Sequence, residues 1–241
     1  MDNKKTYFIS GGGTGGHIYP AFTIIEKLLK DSETEKVFFI GNPKNLEAEI
    51  VKNYPEVIFL PVEVSGMPRK LNIAFFKWAI QMFKGFLKAR EYIKKYKPNA
   101  VFTTGGYVSA PTVMAASSLD VPYMIHDCDS TPGLVSKMAA PNAKIVSVAF
   151  ENSKKILKSH NIIFNGNPVR EAFFTITKQE ARAKLNIPEN KKVILKLTID
   201  TKICPVIKYF EIFLDRMLLS KRAAHYLGVW FELEINGATL L

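Results

Sequence analysis

The stretch Ser10-Gly11-Gly12-Gly13-Thr14-Gly15-Gly16-His17-Ile18-Tyr19-Pro20 limits what this chain can fold into more than any other. Five of the six residues from 11 to 16 are glycine. Before them runs Thr6-Tyr7-Phe8-Ile9, an apolar run of strand length. After them Ala21-Phe22-Thr23-Ile24-Ile25-Glu26-Lys27-Leu28-Leu29 has its apolar residues at helical spacing. Strand, glycine loop and helix in that order aim free backbone N–H groups and a helix N-terminus at an anion. Glycine serves there because backbone has to approach the ligand closely.

The flanking residues narrow the choice of anion. Gly11, Gly13 and Gly16 fit the spacing of the dinucleotide fingerprint, which also expects an acidic residue about 20 residues on, at the end of the second strand. Here that strand, Val37-Phe38-Phe39-Ile40, ends in Gly41-Asn42-Pro43. A nicotinamide dinucleotide is therefore disfavoured. A mononucleotide P-loop needs Gly-Lys-Ser/Thr at its end, and this loop ends Gly15-Gly16-His17. His17 puts an imidazole at the mouth of an anion site, where it suits a general base.

Apolar runs alternate with helical patterns along the next 150 or so residues. Strands are predicted at 5–10, 36–41, 57–62, 99–103, 121–126, 144–148 and 161–164, and helices at 18–30, 44–53, 72–95, 108–118, 132–140 and 150–158. Strands separated by helices imply a parallel sheet covered on both faces, an α/β Rossmann-like fold. A second strand–Gly-Gly–helix unit, Thr104-Gly105-Gly106-Tyr107, opens the second half. In such a sheet ligands bind beyond the carboxyl ends of the strands. His126 is placed at such an end, which favours a binding or catalytic part over a core one.

The chain's 241 residues suffice for one or two domains. Two cysteines, Cys128 and Cys204, give no disulfide framework, and a reducing compartment is the default. No apolar stretch reads as a secretion signal or a membrane span.

The net charge of +11 favours nucleic acid, an anionic membrane or phosphorylated ligands. Its placement decides. Residues 69–97 hold nine bases against one acid, Glu91, and so eight of the eleven net positive charges. Among them lie Phe75, Phe76, Trp78 and Phe83, while Lys77, Gln81, Lys84 and Lys88 share one narrow helical stripe. The apolar arc is wider than docking on a sheet requires. A basic amphipathic helix with spare aromatics reads as a membrane-surface element, with Phe75, Phe76, Trp78, Phe83, Lys77 and Lys84 as its contacts. A core helix with a solvated lysine face is the alternative. No nucleic-acid motif accompanies the charge, and no nucleic-acid partner is expected.

Four motifs in this order resemble those of the MurG-type glycosyltransferases: Gly11 to Ala21; Thr104-Gly105-Gly106-Tyr107-Val108-Ser109-Ala110-Pro111; Ile125-His126-Asp127-Cys128-Asp129 with Pro132-Gly133; and Gly166-Asn167-Pro168-Val169-Arg170. The resemblance covers roughly residues 4–195. It implies a GT-B architecture with catalysis between two domains: a Rossmann-like acceptor- and membrane-binding domain over 1–165, then a linker and the start of a donor domain over 166–195. It implies inverting transfer of N-acetylglucosamine from UDP-GlcNAc to lipid I, giving lipid II, at the cytoplasmic face of the bacterial plasma membrane. Its partners would be UDP-GlcNAc, lipid I and the anionic membrane surface, with no cofactor.

Site roles follow from the same resemblance. His17 is the catalytic base. Thr14, Gly15, Gly16, Asp129 and Arg170 contact the donor. Gly105, Gly106, Tyr107, His126 and Asp127 serve the acceptor and its diphosphate. Asp127-Cys128-Asp129 has the spacing of a metal-binding Asp-x-Asp, but it coincides with the family's His-Glu-Gln-Asn segment, where no metal is implied. Asp129 replaces an amide by a carboxylate that only accepts, an unfavourable neighbour for a diphosphate.

After residue 195 the resemblance stops. The family's third glycine-rich loop is replaced by Lys196-Leu197-Thr198-Ile199-Asp200-Thr201-Lys202, and no glycine stands between Asn167 and Gly228. Residues 196–241 read as a divergent or truncated tail, leaving an incomplete second domain and little transferase activity expected of the chain alone. The rival expectation is a non-catalytic module that binds a polyprenyl diphosphate at the membrane.

Overall fold

A computed structural model of the chain describes residues 4–70, 72–190, 233–235 and 238–240. It divides into two compact units, Met1–Thr175 and Ile176–Leu241. The first contains β1 (Lys5–Ser10), α1 (Gly15–Lys30), β2 (Thr34–Gly41), α2 (Leu46–Ile50), β3 (Val57–Pro61), α3 (Ile73–Tyr96), β4 (Ala100–Thr103), α4 (Ala110–Ser118), β5 (Tyr123–Asp127), α5 (Leu134–Ala139), β6 (Ile145–Val148), β7 (Ile162–Phe164) and α6 (Ala172–Thr175). In the second, α7 (Lys178–Lys184) opens on a capping box between Thr177 and Glu180, and β8 (Leu233–Ile235) pairs antiparallel with β9 (Ala238–Leu240).

The seven strands of the first unit form one parallel sheet in the order β3-β2-β1-β4-β5-β6-β7. This is the Rossmann order with one strand added at the edge. The chain starts at the centre, winds outward to β3, then crosses to β4 on the other side of β1. Strands β1 and β4 therefore flank the point where the winding reverses, and Ser10 lies level with Thr103. Both glycine loops leave the sheet there, side by side.

Successive residues of a strand face opposite ways, and the core shows it. Phe8, Phe38 and Val101 belong to the cluster with Tyr92, Ile93 and Val113, beneath α3 and α4. Their neighbours Ile9, Phe39 and Phe102 belong to the cluster with Ile18, Phe22 and Ile25 of α1. Near-continuous apolar strands are what a sheet covered on both faces demands. Helix α3 starts where the Asn72 side chain accepts from the Ala74 N–H. It ends at Lys97, in the left-handed region (φ 47°), with Pro98 after it.

Helix α1 begins at Gly15, three residues before the position predicted for it, so His17 lies in its first turn. The helix expected over 150–158 is a short 3-10 turn, Glu151–Lys155, held where the Ser153 hydroxyl donates to the Asp129 carbonyl. Of the segment expected to start a donor domain, 166–195, residues 191–195 fall outside the described residues, as does most of the tail over 196–241. Among those residues no helix is long and apolar enough to cross a membrane.

Candidate active site

The two glycine loops interlock. The Thr104 hydroxyl donates to the His17 carbonyl at 2.6 Å, and the Thr104 N–H donates to the Ser10 carbonyl at 3.1 Å. Gly11 faces Thr104 so closely that an added Cβ would lie 2.0 Å from its Oγ1. At Gly106 an added Cβ would lie 2.2 Å from the Gly12 carbonyl oxygen. Gly106 also has φ 77° and ψ 158°, a conformation reserved for glycine. Glycine is required here by two backbones in contact, which brings both sets of loop amides to one place.

Helix α1 turns its N-terminus to the same place. Thr14 is its N-cap residue, and its carbonyl takes the N–H groups of His17 and Ile18. Gly15 and Gly16 open the first turn, where N–H groups have no intrahelical acceptor. The first turn carries no acidic residue, so the positive end of the helix dipole is left for an anion.

The His17 ring rests on the second loop. Added Cβ atoms would lie 3.7 Å from its Cε1 at Gly105 and 3.0 Å from its Cδ2 at Gly106. Its Nε2 is 4.0 Å from Asp129 Oδ2, and its Nδ1 is buried without a hydrogen-bond partner among the described residues. Imidazole and carboxylate from separate motifs thus meet above the sheet's carboxyl edge. Arg170 arrives from 151 positions beyond Tyr19 in sequence; its guanidinium lies 5.2 Å over the Tyr19 ring of α1 and 5.5 Å from that of Phe173. Glu171 fixes this return by pairing with Lys30 at 2.6 Å and Lys27 at 3.6 Å, and the two lysines hold its carboxyl below the usual carboxylate range.

Residues 7–148 match the glycosyltransferase family 28 N-terminal domain. A Caldanaerobacter subterraneus protein named UDP-N-acetylglucosamine--N-acetylmuramyl-(pentapeptide) pyrophosphoryl-undecaprenol N-acetylglucosamine transferase is 38% identical over 192 residues, 79% of this chain and 52% of the relative. The chain belongs to the MurG-type glycosyltransferases of family 28. A Bacillus pumilus protein of the same name is 37% identical over 187 residues, 78% of this chain and 51% of the relative. The crystal structure of Acinetobacter baumannii MurG superposes with a TM-score of 0.56 at 26% identity, covering 70% of this chain and 46% of that one. The chain spans about half the length of the curated relatives it matches.

Other residues of the family's motifs stand behind the open edge. His126 is 2% exposed; its Nδ1 meets the Ser147 hydroxyl at 2.7 Å and its Nε2 meets Asn167 Oδ1 at 3.0 Å. Both ring nitrogens are spoken for inside the protein, and burial holds the imidazole below its ordinary pKa. Asp127 is 3% exposed and bonds to the Asp129 N–H at 3.2 Å, with further bonds from Ser136 and the Gly133 backbone. Burial raises its pKa. These two residues anchor the 128–136 turn and the Gly166-Asn167-Pro168 crossing rather than lining open space. The Cys128 thiol is buried and burial pushes its pKa far up, which removes it as a nucleophile.

Helix α3 divides its apolar residues between two jobs. Its second half packs inward through Gly85, Ala89, Tyr92 and Ile93. Ile73, Phe76, Ile80, Phe83 and Leu87, three and four residues apart, form an exposed apolar stripe from 46% to 75% accessible. Lys77 and Lys84 are exposed beside it, with no ion-pair partner among the described residues. Phe75 and Trp78 are half-buried: their rings pack 5.3 Å apart, and the Trp78 indole N–H donates to the Ser65 carbonyl.

Sequence reasoning missed Glu47. No carboxylate follows the second strand directly, yet α2 brings Glu47 back beneath the first glycine loop, fully buried. An added Cβ at Gly12 would lie 2.6 Å from its Oε1. Its place under a residue 35 positions earlier is a product of the fold. The available clue was that Glu47, unlike Glu49, shares the helical spacing of the apolar Ile50 and Val51.

Proposed function

We propose that this chain carries the acceptor- and membrane-binding half of an inverting, metal-independent N-acetylglucosaminyltransferase that moves GlcNAc from UDP-GlcNAc to lipid I. The observation that carries the reading is His17 seated on Gly105 and Gly106, where two glycine loops meet at the reversal point of the sheet. Sugar transfer from a nucleotide diphosphate needs a base for the acceptor hydroxyl and positive potential for diphosphate oxygens. In this reading His17 takes the hydroxyl proton as that oxygen attacks the anomeric carbon and UDP departs. The Gly106 N–H and Tyr107 receive the acceptor diphosphate, while Gly105, whose own N–H donates to the Thr103 hydroxyl at 3.1 Å, brings the loop into place for it. Thr14, Gly15, Gly16 and Arg170 face the donor, with Asp129 beside them. His126 and Asp127 serve the acceptor side from behind, by fixing the turn and crossing that border it.

The exposed stripe of α3, flanked by Lys77 and Lys84, supports docking on an anionic bilayer surface, the cytoplasmic face of the plasma membrane in this reading. Phe76 and Phe83 enter the interface, and Phe75 and Trp78 stiffen the helix start behind them.

Calorimetric titration with UDP-GlcNAc, with UDP and NAD as comparisons, tests the proposal. Selective UDP-GlcNAc binding, with lipid I turnover that falls about 10²–10⁴-fold in His17→Ala, supports the transferase. A chain that binds a polyprenyl diphosphate and anionic vesicles but no UDP-GlcNAc is instead the non-catalytic module that residues 196–241, without the family's donor motifs, favour. Preferential binding of NAD overturns both.

A further inference from the structure

Resting on the anion-site reading above, we propose that Glu47 and Asn45 are positioning residues that turn the Tyr107 hydroxyl into a dedicated hydrogen-bond donor for an oxygen of a bound diphosphate. Glu47 Oε1 accepts from the Asn42 N–H at 3.1 Å and from Asn45 Nδ2 at 3.3 Å. A carboxylate oxygen accepts only. It therefore compels Asn45 to present its amide nitrogen, not its oxygen, to this corner. The same nitrogen lies 3.0 Å from the Tyr107 hydroxyl. An amide nitrogen carries two hydrogens, and here it has two acceptors. The phenol oxygen thus receives a hydrogen from Asn45 and keeps its own. Among the described residues no acceptor takes that hydrogen.

The phenol stands where a donor is useful. Tyr107 follows Gly105 and Gly106 directly, and its ring packs on the first loop: an added Cβ at Gly13 would lie 2.7 Å from Tyr107 Cε1. One side chain thus spans both glycine loops. A half-buried hydroxyl with an unused hydrogen, beside backbone N–H groups, matches a ligand that offers only acceptors. Phosphate oxygens are such a ligand, whether they come from a prenyl diphosphate or from a nucleotide diphosphate.

Glu47 itself never touches the ligand. It is fully buried, and its Oε2 has no hydrogen-bond partner among the described residues. Its part is to fix the direction of a three-member relay from beneath.

The test is calorimetry of the full chain with farnesyl diphosphate and, separately, with UDP. It compares wild type, Tyr107→Phe, Asn45→Asp, Asn45→Ala and the double variant Tyr107→Phe/Asn45→Asp, each with its thermal melt recorded. Asp at position 45 accepts from the phenol and consumes the free hydrogen. Tyr107→Phe and Asn45→Asp should each weaken the preferred diphosphate about tenfold or more, the size expected for one hydrogen bond to a charged group. The double variant should bind no worse than Tyr107→Phe, because both changes remove one donor. Asn45→Ala, which leaves the hydrogen free but unaimed, should cost only a few-fold. The arm that responds, farnesyl diphosphate or UDP, identifies the source of the oxygen. Equal losses from Asn45→Asp with tyrosine or phenylalanine at 107 would show plain charge repulsion and sink the relay. Wild-type affinity in Tyr107→Phe would do the same. If wild type binds neither compound, the anion site itself fails, before any substitution is made.

Discussion

The interlock of the two glycine loops makes Gly106→Ala the most informative substitution in the molecule. A methyl group at that position would sit 2.2 Å from the Gly12 carbonyl oxygen and 3.0 Å from His17 Cδ2. The near atom is backbone, so no rotamer change relieves the overlap. Overpacking of this kind costs about 1–3 kcal/mol. The backbone at φ 77°, ψ 158° adds a second penalty of about 1–3 kcal/mol for any residue with a Cβ. Together they amount to about 2–6 kcal/mol, a large share of the ~5–15 kcal/mol that holds a domain folded. For a domain of this size each kcal/mol shifts the midpoint by roughly 2–4 °C, so Tm should fall by roughly 4–24 °C. Thermal unfolding followed by circular dichroism measures it. Gly66→Ala is the control: its methyl group meets only Tyr107 Cδ1, at 3.9 Å, and should change stability by less than about 0.5 kcal/mol. A Gly106→Ala chain that melts with wild type would mean that the loops are not in contact, and that His17 does not rest on the second of them.

Two further outcomes follow from the packing. In Phe76→Ser and Phe83→Ser each ring removed is more than half exposed, 69% and 60%. Binding to anionic vesicles by sedimentation should weaken by about 1–2 kcal/mol per ring if those faces enter the bilayer surface; unchanged binding would place the contact elsewhere. His126, whose native pKa lies below its ordinary value because it is buried, binds fewer protons folded than unfolded at mildly acid pH. Stability rises with pH wherever the unfolded state binds more protons, and is lost as pH falls through the unfolded pKa. Urea midpoints should therefore drop more for wild type than for His126→Gln as pH goes from about 7.5 to 5.5, a window that spans the unfolded histidine's pKa of about 6.5. Parallel curves would refute the buried, neutral histidine.

Much of this fold is legible in the chain, because a strand buried on both faces must be apolar throughout and a glycine loop after it has few structural uses. All seven strands of the sheet lie within a few residues of their predicted places. The start of α1 was hidden because Gly15 and Gly16 are poor helix formers, yet tertiary contact through Thr104 holds the first turn in place. The 3-10 turn at Glu151–Lys155 lacks the apolar stripe a full helix needs to dock, and Ser153 is committed to the Asp129 carbonyl instead. On α3 the wheel identified a surplus of apolar residues but did not separate those facing outward from those held back. That division depends on the segment after β3, where Val62 and Val64 close on Gly85 and Ser65 takes the Trp78 indole.

By itself, then, the sequence determined the alternation of strand and helix, the two glycine loops, and the family to which their motifs point. These are local properties: periodicity, propensity and the company a glycine keeps. Only the tertiary structure decided which distant residues share the site. It set Thr104 against His17, Asp129 opposite the imidazole and Arg170 over Tyr19, and it turned both nitrogens of His126 inward. It also slid Glu47 under a loop that precedes it by 35 residues. The physical reason is the winding order of the sheet. Putting β1 beside β4 juxtaposes segments some 90 residues apart, and no local pattern encodes which side chains meet when two loops pack backbone to backbone.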